Sequence, residues 1–142
     1  MLATRFQLAL RIVVLTVAMM AGESHAAGGI VVIGHPGLGS LDAATLEKVY
    51  TGRVIEINGM PVTAINASSG SAVRNRFLQN YLNEDEDKYT AYWVVRRYIG
   101  KGAPPREVAS SAAVINFVKS TPGAIGYIEE ADLQPGVAVL LK

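Results

Sequence analysis

Between Asn66 and Phe77 the chain reads N-A-S-S-G-S-A-V-R-N-R-F. Residues of these types, in this order, can hold a small anion. The first amide N–H groups of a helix have no partner inside it, and they carry partial positive charge. They point at whatever lies ahead of the helix start, which makes that start an anion cradle. Ser68, Ser69 and Ser71 add hydroxyl donors, and Gly70 lets backbone approach a ligand closely. Arg74 falls in the first turn, where a cation opposes the helix dipole at a cost of about 0.3–1 kcal/mol. A bound anion would remove that conflict and give the guanidinium a forked, charge-assisted partner. The expected ligand-binding set is therefore Ser69, Gly70, Ser71, Ala72 through its backbone, and Arg74. The plainer reading stands beside it: serine is a good N-cap, and Arg74 can lie along the surface with its head in water.

Other chemistries find little support. The chain has no cysteine and two histidines, one of them inside an N-terminal leader, so a zinc site has no ligand set. His35, beside Pro36, reads as a loop residue rather than a general base. The glycines at 34, 37 and 39 are spaced G-x-x-G-x-G, which is not the dinucleotide fingerprint. With no nucleophile–base pair and no cofactor motif, the expectation is a non-enzyme with no cofactor and no metal.

The first 26 residues read as a cleaved signal peptide. Arg5 and Arg11 form a basic start, and an apolar run from Ile12 to Ala21 follows. Ser24-His25-Ala26 then supplies small residues at the cleavage positions. The run is short for a spanning helix, which needs about 20 residues, and no cysteine follows it for a lipid anchor. The expected location is the periplasm. Without disulfides, residues 27–142 must fold on their core alone, as one domain. Setting aside Arg5, Arg11 and Glu23 leaves equal numbers of basic and acidic residues. A net charge near zero gives no nucleic-acid surface, and any attraction for anions must be local.

Periodicity places the elements. Strands are expected at Ile30–Ile33, Pro61–Asn66, Ala124–Ile128 and Val137–Leu141, with a short extended piece at Glu107–Ala109. Helices are expected at Leu41–Thr51 after a Ser40 cap, at Ser71–Leu82, at Asp85–Ile99 and after Ser110 or Ser111. Tyr92, Val95 and Ile99 make the apolar stripe of the Asp85–Ile99 helix, with Trp93 and Tyr98 beside it as core or groove lining. The acids from Glu84 to Asp87 complement that helix's dipole. Asn58-Gly59 signals a turn. Strands alternating with amphipathic helices imply an α/β fold, a mixed, mostly parallel sheet with helices on both faces.

Five segments in order, S-L-D-A-A-T-L-E-K-V-Y-T-G-R-V, N-G-M-P-V-T-A-I-N, S-A-V-R-N-R-F, Y-W-V-V-R-R-Y-I-G-K-G-A-P-P and A-A-V-I-N-F-V-K-S-T-P-G-A-I-G-Y-I, resemble the phosphate-binding proteins of bacterial ABC importers, a branch of the type 2 periplasmic binding fold. S-T-P-G-A-I-G-Y is the most specific part. Those family proteins close two lobes around a ligand; this chain resembles only the second lobe. The resemblance implies that Ser71 stands on the family serine and Arg74 on the arginine. Ala72 replaces a glycine and Val73 a threonine, and Ala67 stands where some members carry another arginine.

Two functions follow as expectations. One is a periplasmic binder of phosphate or a similar small oxyanion, linked to an ABC permease. A lone lobe leaves one side of the anion wet, so affinity near millimolar is expected, about −4 kcal/mol. Tighter binding would need a second wall, from a homodimer or another envelope protein. The alternative is an accessory protein that kept the fold, lost the ligand and presents the same surface to an envelope partner.

Overall fold

A computed structural model describes residues 28–142; the leader expected at residues 1–26 lies outside the described residues. The elements are β1 (Ile30–Gly34), α1 (Ala43–Tyr50), β2 (Glu56–Ile57), β3 (Met60–Pro61), β4 (Thr63–Ala67), α2 (Ala72–Phe77), α3 (Glu86–Tyr98), β5 (Arg106–Val108), α4 (Ser111–Ser120), β6 (Ala124–Glu129) and β7 (Ala138–Leu141). Five strands form one sheet in the order β5-β4-β6-β1-β7. β4 is parallel to β5 and β6, whereas β1 is antiparallel to β6 and β7. Four strands thus run one way and β1 runs against them. The parallel pairs need long crossovers, which α2–α3 and α4 supply.

β1 is buried throughout and β6 from Ala124 to Ile128, and their side chains divide between two cores by the period of two. Ile30, Val32, Ile125 and Tyr127 face α1, α2 and α3, together with Leu46, Tyr50, Phe77, Tyr89 and Trp93. Val31, Ile33, Ala124 and Ile128 face α4, against Val114, Ile115 and Val118. Helices therefore cover both faces, as the alternation predicts. Phe77 stacks on Tyr127 with ring centroids 3.7 Å apart, and Tyr50 meets Phe77 edge-on at 4.7 Å.

Local differences have identifiable causes. Helix α1 is capped by Asp42, whose carboxylate accepts from the Thr45 amide, and not by Ser40. Leu41 is buried and donates its amide to the Leu140 carbonyl, so the chain is still tied to the sheet there. Asn58 and Gly59 both take positive φ and close a β2–β3 hairpin, as a two-residue type I′ loop requires. After Phe77, α2 widens into a π turn over Leu78–Leu82.

The largest correction concerns α3. Its buried residues are Tyr89 and Trp93, while Val95 and Ile99, assigned to the core by spacing, are 59% and 58% exposed. Tyr98, placed as core or groove lining, is 91% exposed. Aromatic bulk wins over aliphatic spacing, because Tyr and Trp each bury about 150–250 Å². Gly52 makes the room: a Cβ there would lie 2.8 Å from the Trp93 ring.

Candidate functional site

The carboxyl ends of the parallel strands β4, β5 and β6 lie together, the place where open α/β sheets hold ligands. A crevice of about 280 Å³ opens there, lined by Ala67, Ser68, Val108, Tyr127 and Glu129 of those strands and their ends. The starts of two helices converge on it. Ser71, Ala72 and Val73 come from α2, and Ser110 and Ser111 from α4. Both helices are serine-capped. The Ser71 hydroxyl accepts from the Arg74 amide at 3.4 Å, and the Ser110 hydroxyl accepts from the Ala113 amide at 3.1 Å. The amides ahead of those capped positions have no intrahelical partner. This crevice can offer two sets of backbone donors and several hydroxyls to one small acceptor.

The expected ligand residues divide around the Ser68–Ser71 loop. Ser71 and Ala72 line this crevice. Gly70 sits exposed at the tip with φ of +77°, a conformation that suits glycine. Ser69 and Arg74 face a second crevice of about 240 Å³, walled by Tyr89, Trp93, Pro104 and Pro105. The sequence expectation of one cluster therefore becomes two half-sites on opposite sides of the loop.

Arg74 is occupied by the protein itself. It is 5% exposed, and its guanidinium grips Glu86 of α3 with two bonds of 2.8 Å. It also donates to Glu107 of β5 at 2.6 Å and to the Ala67 carbonyl at 3.2 Å. Ser69 donates its hydroxyl to the same Glu107 oxygen at 2.6 Å. Two of the side chains expected to hold an anion, Ser69 and Arg74, thus hold a carboxylate of this chain. The Ser69 hydrogen bond, helped by the Arg74 charge, lowers the Glu107 pKa below the usual carboxylate value against the opposing effect of burial. Arg74 also lies 5.5 Å above the Tyr89 ring.

A buried polar network fixes the end of β4. Asn66 is 1% exposed, donates to the Tyr89 hydroxyl at 3.2 Å and accepts from the Tyr127 hydroxyl at 3.0 Å. Tyr127 in turn accepts from the Ala67 amide, Tyr89 donates to the Tyr50 carbonyl, and Tyr50 donates to the Ile65 carbonyl. Burial pushes the Tyr50, Tyr89 and Tyr127 hydroxyls above their ordinary pKa. They stay protonated donors. Sequence reading missed this network, as it missed the Arg74 partners Glu86 and Glu107; Ser110 and Ser111 it read only as helix caps. Tyr127 in the apolar run Ala124–Ile128 was the available signal for the first.

The open crevice is not cationic. Glu129 at its rim is paired with Arg76, and Asp132 accepts from the Ser111 hydroxyl at 2.7 Å. His35 lies elsewhere, accepting from the Gly37 amide at 3.2 Å. Among the described residues, no group of His, Asp or Glu is placed to hold a metal ion, and no helix is long and apolar enough to cross a membrane.

No family model matches the chain, and no curated protein matches it in sequence. Solved structures do match. An ABC-type phosphate transport receptor from Vibrio cholerae aligns with TM-score 0.56 at 14% identity, over 80% of this chain and 45% of its own. A putative phosphate ABC transporter substrate-binding protein from Clostridium perfringens, solved with bound phosphate, gives 0.55 at 19%, over 80% and 44%. PstS from Borrelia burgdorferi gives 0.58 at 17%, over 80% and 47%. The chain spans less than half the length of each of these proteins, and what it shares with them is their α/β fold.

Proposed function

We propose that this chain is a non-catalytic, solute-binding lobe that takes a small oxyanion, phosphate being the first candidate, in the crevice between the starts of α2 and α4. The observation behind this reading is the meeting of two serine-capped helix starts over the carboxyl ends of β4, β5 and β6. The ligand groups would be the first amides of α2 and α4 with the hydroxyls of Ser68, Ser71 and Ser110; the Ser111 hydroxyl already donates to Asp132. Arg74 is no ligand here; it holds the loop in place. Hydrogen bonds to a charged oxyanion contribute about 1.5–3 kcal/mol each, and two or three of them in an open crevice must offset an association cost of at least about 4 kcal/mol. Binding by this lobe alone is then millimolar or weaker. In a phosphate titration followed by amide NMR, the reading expects saturable shifts at Ala72, Val73, Ser111 and Ala112. It fails if those amides stay still at tens of millimolar phosphate, or if the Arg74 Nε–H moves instead.

One observation favours a second reading. Glu107 already fills the Ser69–Arg74 half of the expected site, as in an accessory protein that retains the architecture without the ligand. If none of these amides responds to phosphate, sulfate or another small oxyanion, this second reading replaces the first. A periplasmic location and a permease partner belong to the first proposal and stand with it.

A further inference from the structure

The large apolar side chains most open to solvent among the described residues are Ile55, Val94, Val95, Tyr98 and Ile99. Four of these five lie at the end of α3. With exposed Ala91, positions 91, 94, 95 and 98 follow the i, i+3, i+4, i+7 spacing of one helix face. The opposite face of α3 already packs Tyr89 and Trp93 into the core. Helix α3 is thus apolar on two sides, and water meets one of them. Contiguous apolar surface of this kind marks an interaction site.

The charges along α3 identify the occupant. Its start holds Asp85, Glu86 and Asp87 against one base, Lys88 on the far flank; its end holds Arg96, Arg97 and, just beyond, Lys101. Asp85 caps the helix and Glu86 holds Arg74. Asp87, Arg97 and Lys101 are exposed and take part in none of the chain's ion pairs among the described residues. An acidic start and a basic end on one apolar helix complement a copy of themselves laid antiparallel, and the opposed helix dipoles add to the match.

We propose that this face is the contact of a two-fold dimer, with α3 of one copy packed antiparallel on α3 of a second copy. A two-fold contact pairs the same patch on both copies. With the axis between Val94 and Val95, Tyr98 of each copy rests on Ala91 of the other, and Asp87 comes to the basic end of the other copy's α3, near Arg97 and Lys101. The inference stands independently of the oxyanion reading.

Sedimentation equilibrium of the purified protein over micromolar to near-millimolar concentrations tests it. The protein is expected to form dimers. Tyr98→Glu should leave it monomeric. D87K, and separately R97E/K101E, should each weaken the dimer at least tenfold, since each sets like charges together. Mixing those two charge variants in equal amounts should restore it, because the opposite charges then meet again across the contact. Far-UV circular dichroism confirms that each variant is folded. A wild-type protein that stays monomeric throughout overturns the proposal and leaves the face to a different partner. A dimer untouched by Tyr98→Glu, or a mixture no tighter than either charge variant, overturns it equally.

Discussion

Replacing Arg74 by methionine separates a structural arginine from a ligand-binding one. Methionine keeps most of the stem's volume and removes the guanidinium. The Arg74 side chain is 6% exposed, and the carboxylates it holds, Glu86 and Glu107, are 25% and 47% exposed. Breaking a buried pair by removing one partner costs about 3–5 kcal/mol. Both acids keep access to water, which recovers part of their lost pairing, so the low end applies, about 3 kcal/mol. For a domain of this size that corresponds to a fall in Tm of roughly 12 °C, at about 4 °C per kcal/mol. Arg74→Lys should fall between, since lysine keeps the charge and loses the two-bond fork to Glu86. Urea unfolding can be followed by the fluorescence of Trp93, the single tryptophan. An Arg74→Met protein within about 1 kcal/mol of wild type would refute the anchoring role. Normal stability with loss of the phosphate response would refute it more sharply, by returning Arg74 to the ligand.

Three further outcomes are expected. Glu107 has a folded pKa below its ordinary 4.5; its contribution is complete above that value and is lost as the pH falls through the folded pKa. The urea midpoint of wild type should therefore drop on acidification below about pH 5 more than that of Glu107→Gln, and parallel curves would contradict this. Tyr127→Phe leaves the Ala67 backbone amide and the Asn66 side-chain oxygen Oδ1 without their Tyr127 partner in the core, which should cost about 1–3 kcal/mol in chemical denaturation. Gly123→Ala sets a Cβ 2.0 Å from the Pro61 carbonyl oxygen at a φ of +74°; the protein should lose several degrees of Tm or fail to accumulate, and an unchanged Tm would show that the contact relaxes freely.

Much of the architecture was legible because the central strands and α4 bury single faces whose patterns have one solution. The S-T-P-G-A-I-G-Y run has a physical basis for its specificity. Gly123 makes the turn against Pro61, and a Cβ on Gly126 would lie 2.5 Å from Val114, so only glycine lets α4 seat on β6. The facing of α3 was not legible. Tyr89 and Trp93 compete with Val95 and Ile99 for the interior, and the decision depends on the slot that Gly52 leaves on a different element. The site was half legible. Serine caps at Ser71 and Ser110 are local signals. The partners of Arg74 are not, since Glu86 and Glu107 lie 12 and 33 residues away in sequence. An isolated arginine in a first turn reads as waiting for a ligand, whereas an acid brought by the fold satisfies it equally well.

The placement of β1 bears on how the chain reaches its native state. This strand lies inside the sheet, yet both neighbours come from the far end of the sequence: Val31 pairs with Ile128, and Val32 with Leu141. Closing such long loops precedes any gain from pairing, and topologies dominated by distant contacts collapse slowly and late. Until β6 and β7 arrive, Ile30–Ile33 remains an uncovered, β-branched ribbon that aggregates readily. The nascent chain is therefore open to aggregation at Ile30–Ile33 until its C-terminal strands have been made.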